Sequence, residues 1–186
     1  KFTLVSPEDK TLVRQDNNLV LGVEAPEYDH YHGVDGTNGN PVVWTAWNGT
    51  TDLENGAYYL TGNVELARGI TVSGDAHLCL NGFKIEDAVS ESDMHIVFRV
   101  VDEGSLTICD CSGGKTGKVT TSKDAVLFEV NGDLTLYGGM LQNLNGQKER
   151  VTLSFPADST GSFTMTGGTV TAAYHAMNVD GSAHIS

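Results

Sequence analysis

The chain is short of the residue types that carry most recognisable chemistry. Its 186 residues include three cysteines, two tryptophans, four methionines and four prolines. An odd set of three thiols is too small for the disulfide framework of a small secreted domain. Cys109-Asp110-Cys111 leaves one residue between its thiols, closer than a zinc knuckle requires. The cysteines therefore read as ordinary strand and turn side chains, with one bridge from Cys79 to Cys109 or Cys111 as the sharper alternative. Cationic residues are scarce too: 11 Lys and Arg stand against 24 Asp and Glu, a formal charge of -13. A surface of that sign does not release counterions from nucleic acid and is repelled by anionic lipid, so neither is a partner. No apolar run reaches the roughly 18 residues needed to cross a bilayer as a helix, so membrane insertion is excluded as a reading. Ser112-Gly-Gly-Lys-Thr116 lies between two strand-like segments, without the helix N-terminus that would hold a phosphate. No cofactor is expected.

Glycine, at 22 residues, is abundant and periodic. Gly74-Asp-Ala-His-Leu-Cys-Leu-Asn-Gly82, Gly104-Ser-Leu-Thr-Ile-Cys109, Gly132-Asp-Leu-Thr-Leu-Tyr-Gly138 and Gly161-Ser-Phe-Thr-Met-Thr-Gly167 align, and a shorter Gly181-Ser-Ala-His-Ile185 follows. Taking Leu78, Leu106, Leu134 and Phe163 as equivalent gives a step of about 28 residues. Leu80, Ile108, Leu136 and Met165 come two positions later, with Cys79, Thr107, Thr135 and Thr164 between. Alternation with period two marks short strands with one buried face. Two more strand-like segments accompany each of these, such as Gly117-Lys-Val-Thr120 and Ala125-Val-Leu-Phe-Glu-Val130.

Three strands per repeat of about 20–30 residues predict an all-β right-handed parallel β-helix, a solenoid of about four coils. Its columns would be Leu78–Leu106–Leu134–Phe163 and Leu80–Ile108–Leu136–Met165, with glycine at the corners. Residues 44–186 form this solenoid. Residues 1–43 lack the repeat and read as a cap or linker: short strands at Thr3–Val5, Thr11–Val13 and Leu19–Val23, a turn at Asp16–Asn18, then a long loop rich in Gly, Pro and Asn. The chain starts at Lys1, and Ala183-His-Ile-Ser186 reads as a strand, so a continuation or a partner is expected there, end-to-end stacking included.

Several segments resemble a known family. Trp47-Asn-Gly-Thr-Thr-Asp-Leu-Glu-Asn-Gly-Ala-Tyr-Tyr-Leu-Thr-Gly-Asn-Val-Glu-Leu66, Leu78-Cys-Leu-Asn-Gly-Phe-Lys-Ile85, Leu106-Thr-Ile-Cys-Asp-Cys-Ser-Gly113 and Met165-Thr-Gly-Gly-Thr-Val170 resemble the pectate-lyase-like right-handed β-helix modules of large secreted and surface proteins of gut Firmicutes. The resemblance spans residues 44–186 and implies the fold and an extracellular or cell-surface location. It leaves activity open, because lyases, hydrolases and adhesins share the scaffold. In similar proteins a His/Cys-rich, zinc-ribbon-like stretch precedes the tryptophan. Here Asp29-His-Tyr-His32 and Gly33-Val-Asp-Gly36 stand in that place without cysteine.

The candidate sites follow from residue type. His30, His32 and Asp29 could ligate a divalent metal, against the plainer reading of a polar loop. Trp44 and Trp47 either plug the end of the core or stack on a sugar, and a glycan or another surface protein is the expected partner class. A lyase needs cations to neutralise a uronate and a base to take its proton; a hydrolase needs two carboxylates. Arg99, Lys84, Asp102 and Glu103 are the nearest candidates, and no motif assembles them. The leading expectation is a non-catalytic surface module for adhesion, glycan contact or spacing. A carbohydrate-active enzyme is the alternative, and a self-stacking filament subunit the second alternative.

Overall fold

The computed structural model describes residues 11–15, 18–22, 30–37, 39–90, 93–181 and 183–186. Strands β1 (Thr11–Gln15) and β2 (Asn18–Gly22) pair antiparallel. They cover two of the segments read as short strands before residue 43, Thr11–Val13 and most of Leu19–Val23; Thr3–Val5 lies outside the described residues. All the other strands are parallel: β3 (Trp44–Ala46), β4 (Gly56–Tyr59), β5 (Val64–Leu66), β6 (Ile70–Val72), β7 (Asp75–Cys79), β8 (Lys84–Asp87), β9 (His95–Val100), β10 (Ser105–Cys109), β11 (Lys118–Thr121), β12 (Ala125–Val130), β13 (Asp133–Leu136), β14 (Met140–Asn143), β15 (Leu153–Phe155), β16 (Ser162–Met165), β17 (Thr169–Ala172), β18 (Met177–Val179) and β19 (His184–Ile185). No helix occurs among the described residues.

From β4 to β16 each strand pairs with the one three places later in sequence, and β4 also pairs with β3. The first sheet runs β19-β16-β13-β10-β7-β4-β3, the second β17-β14-β11-β8-β5 and the third β18-β15-β12-β9-β6. The chain thus visits three parallel sheets in rotation, each circuit pairing strand by strand with the one before. Glycine is compulsory where circuits touch most closely. A Cβ on Gly132 would lie 2.1 Å from the carbonyl oxygen of Gly104, and one on Gly161 2.5 Å from that of Gly132. Both obstacles are backbone, so no side chain can swing aside to make room.

The inward residues form one core. On the third sheet Ile70, Phe98, Phe128, Leu153 and Met177 lie in register. The Phe98 and Phe128 rings stack with centroids 5.0 Å apart. On the second sheet the column is Val64, Ile85, Val119, Leu141 and Val170. Burying each large apolar side chain contributes about 1.5–3 kcal/mol, which a single circuit cannot collect because it has no layer to bury against.

On the first sheet the columns differ from the sequence expectation at one rung. Leu106, Leu134 and Phe163 are in register, but the partner of Leu106 is Ala76, and Leu78 stands beside Ile108. The small side chain of Ala76 occupies an inward position that the hydrophobic pattern passes over, which displaces the alignment of β7 by two residues. The correction has a chemical consequence: Cys79 is paired with Cys109, and His77 rather than Cys79 stands beside Thr107.

Polar ties fix the corners. The buried carboxylate of Asp110 accepts backbone N–H groups of Gly82 at 2.9 Å, Ser112 at 3.0 Å and Gly117 at 2.7 Å. The amide of Asn143 donates to the carbonyls of Ala125 and Val151, both at 3.0 Å. Such bonds satisfy backbone groups that the turns would otherwise bury unpaired.

Candidate metal centre

The outer face of the first sheet is non-polar where it begins. Tyr59, Cys79 and Cys109 are neighbours in register on β4, β7 and β10 and alternate with inward Tyr58, Leu78 and Ile108. Outward residues of a solvated sheet are usually polar, so a non-polar outward column calls for a cover. Residues 30–37 and 39–44 supply it. Trp44, Ala57, Tyr59, Cys79 and Cys109 form a second buried cluster, with Val42 and Cys111 packed against it. Gly36 adopts φ +76° where a Cβ would meet the Cβ of Cys109 at 3.4 Å.

His30 and His32 are carried by this cover and are 8% and 4% exposed, which removes them from the class of surface-loop histidines. His30 stacks on Tyr59 with ring centroids 4.4 Å apart and an interplanar angle of 8°, and meets Trp44 edge-on. The carbonyl of His32 accepts the Trp44 indole N–H at 2.9 Å and the Val42 N–H at 3.2 Å, so the segment folds back on itself around this residue. His32 Nδ1 lies 2.5 Å from the carbonyl oxygen of Gly33. A carbonyl only accepts, so Nδ1 carries the proton and Nε2 is left as the ligand atom, the usual means of orienting a metal-binding imidazole.

Four potential ligand atoms meet here. One from each of His30, His32, Cys79 and Cys111 lies within 4.8 Å of all the others. The two Nε2 atoms are 2.6 Å apart, and Cys111 Sγ lies 3.7 Å from His30 Nε2. Tetrahedral zinc, with about 2.0–2.1 Å to nitrogen and 2.3 Å to sulfur, sets its ligand atoms about 3.3–3.8 Å apart, a spacing the Cys111–His30 pair already has and the two imidazoles reach only by moving apart. Two neutral imidazoles with two thiolates carry two negative charges, which one divalent cation neutralises. The Cys111 thiol donates to the Asn81 Oδ1 at 3.5 Å.

The thiols are strongly perturbed. A hydrogen bond from Cys109, aided by His30 and His32, holds Cys79 far below the ordinary thiol range despite its burial. Cys109 is raised by the same hydrogen bond and by burial. Burial, then the negative charge of Cys79, pushes Cys111 up to about 12. Burial alone would lower His32; hydrogen bonding to Cys79 and then to Gly33 raises it instead. A divalent cation at such a site would replace the protons of its thiol ligands.

Two of the three metal candidates read from the sequence lie in this cluster. His30 and His32 are in it; Asp29 lies outside the described residues. Cys79 and Cys111 were not foreseen as ligands, because Cys111 is 81 residues from His30 in sequence. The available signal was the non-polar outward series Tyr59, Cys79, Cys109. The two tryptophans do not offer sugar platforms. Trp44 is 7% exposed beneath the histidines, and Trp47 is 4% exposed in the main core, donating its indole N–H to the carbonyl of Thr51. Lys84 and Arg99 lie on different sheets, through β8 and β9, and not side by side in successive circuits. Lys84 is paired with Glu86, and Arg99 with Glu129 at 2.8 Å. Asp102 and Glu103 are exposed in the turn after β9. A cleft of about 310 Å³ is lined by Gly69, Ile70, Thr71, Met94, His95, Ile96 and Arg99, with no carboxylate.

Searches against family models, curated proteins and solved structures find no match to this chain.

Proposed function

We propose that the three sheets are the faces of a right-handed parallel β-helix, and that the chain is a non-catalytic module of an extracellular or cell-surface protein. It would serve adhesion, glycan contact or spacing, in the manner of the pectate-lyase-like modules its sequence resembles. In this reading a zinc-class divalent ion, held by His30, His32, Cys79 and Cys111, clamps residues 30–44 onto the first circuits. The convergence of two imidazoles and two thiols from three distant stretches of sequence carries the proposal. A site with four protein ligands leaves no open position for a substrate, which is the mark of a structural ion. The pairing of Lys84 with Glu86 and of Arg99 with Glu129 favours a scaffold over a polysaccharide lyase, which needs its cations for the substrate.

The test is metal analysis of chain purified under reducing conditions, with cobalt substituted for zinc. About one ion per chain, and the visible absorption of tetrahedral cobalt with sulfur ligands, are expected. A chain that takes up neither metal refutes the clamp. Products released from neutral or acidic polysaccharides by the purified chain would refute the non-catalytic reading.

A further inference from the structure

The metal centre contains one thiol that solvent reaches and a second thiol set beside it. Cys79 and Cys109 are fully buried, whereas Cys111 is only half-buried at the edge of the cover. Cys79 and Cys111 offer sulfur atoms within 4.8 Å of each other. A cation there would hold both as thiolates, the nucleophilic form of the side chain. All three cysteines are free.

We infer that the clamp is released by oxidation, a peroxide-class oxidant joining Cys111 to Cys79 and expelling the ion. This rests on the metal reading above. The electrons balance in two steps. The Cys111 thiolate attacks one oxygen of hydrogen peroxide, breaking the O–O bond to give a sulfenic acid and hydroxide. The Cys79 thiolate then attacks that sulfur, forming the disulfide and releasing a second hydroxide. Two thiolates lose two electrons, and one peroxide gains them. Two of the four ligands disappear together, and the two remaining imidazoles cannot hold the ion. Cys109 takes no part. The order follows from access: peroxide reaches the half-buried sulfur, and the buried sulfur resolves it.

The experiment treats the zinc-loaded chain with hydrogen peroxide, follows released zinc with a chromogenic chelator and maps disulfides by peptide mass spectrometry. About one zinc per chain is expected to leave as a Cys79–Cys111 disulfide appears, and a dithiol reductant with fresh zinc should restore the starting state. Cys109→Ser keeps a hydrogen-bond donor beside Cys79 and should still lose its zinc with a Cys79–Cys111 disulfide. Cys111→His keeps a fourth ligand but lacks the reactive sulfur, and should hold its zinc at least about tenfold longer. Zinc retained through oxidation overturns the inference, as does zinc lost with any other cysteine pairing. So does release from Cys111→His at the native rate. Each of those outcomes leaves the clamp standing, whereas a chain that never takes up zinc removes the clamp itself.

Discussion

Stripping the ion from the site should lower thermal stability by an amount that can be worked out beforehand. The ion binds where residues 30–32 lie against the ends of β7 and β10, and in the unfolded chain His30 and Cys111 are 81 residues apart. Binding therefore favours the folded state. With free zinc at about 100 times its dissociation constant the linkage is worth about 2.7 kcal/mol. For a chain of this length each kcal/mol moves the Tm by about 2–4 °C, so zinc should raise it by about 5–11 °C and a chelator should return it. The assay is thermal unfolding under a reductant that does not bind metal, with zinc and then with excess chelator. His32→Ala and Cys79→Ala should each abolish the zinc-dependent part of the Tm, whatever they do to the metal-free value. Cys109→Ser should retain it, because Cys109 is not among the four ligands. A native Tm indifferent to zinc and chelator would refute the reasoning. So would a zinc-dependent rise of equal size in His32→Ala and Cys79→Ala, which would put the ion elsewhere.

Other parts of the structure give sharp expectations of their own. Phe128→Ala and Phe98→Ala should each cost about 3–5 kcal/mol in urea unfolding, and the double variant should reveal a coupling of about 0.5–1.5 kcal/mol from the stacked rings; additive losses would mean the rings do not meet. Asp110→Ala leaves three backbone N–H groups without their acceptor, at about 1–3 kcal/mol each where burial is retained, and it should weaken zinc uptake as well because the same turn carries Cys111; unchanged stability would exclude the tie. Asp52 is held below the usual carboxylate range by the Thr71 N–H and then by Arg68. Its contribution is therefore present above the unfolded carboxylate pKa and is lost as pH falls through the folded value. Being half-exposed, it is worth less than about 1 kcal/mol, so Asp52→Asn should be slightly less stable than the native chain at neutral pH and equal to it in acid; a difference that persists in acid would contradict this.

The rotation through three sheets was legible because the sequence repeats what the fold repeats. Leu106, Leu134 and Phe163 share one position relative to their glycines, and stacking demands similar side chains at stacked positions. The misplaced rung shows the limit of that logic. Hydrophobic size was the guide, so Leu78 was matched to Leu106, whereas the backbone counts residues from the turn and gives the place to Ala76. Glycine was the better ruler: Gly104, Gly132 and Gly161 sit where neighbouring backbones nearly touch, and no other residue fits there. The metal centre was half legible for a related reason. Two histidines separated by one residue are visible in a linear reading, but their thiol partners belong to the scaffold and become neighbours only when the register is known.

The shift of two residues at β7 joins the fold to the site. Had Leu78 paired with Leu106, Cys79 would stand beside Thr107 and the outward column would be mixed polar, with no reason for residues 30–44 to cover it. With Ala76 in that place, Tyr59, Cys79 and Cys109 line up as a non-polar outward strip ending next to the turn that holds Cys111. Such a strip needs covering for the same reason the inner columns need stacking. Apart from Trp44, which β3 already holds in the first sheet, Val42 is the apolar side chain the cover adds to the cluster. A segment that buries so little gains weakly against the entropy of ordering it, at about 1–2 kcal/mol per residue for the backbone alone. A four-ligand ion supplies what packing does not. That is why the two histidines belong to the cover and the two cysteines to the sheet and its adjoining turn: a clamp must have one jaw on each part it joins.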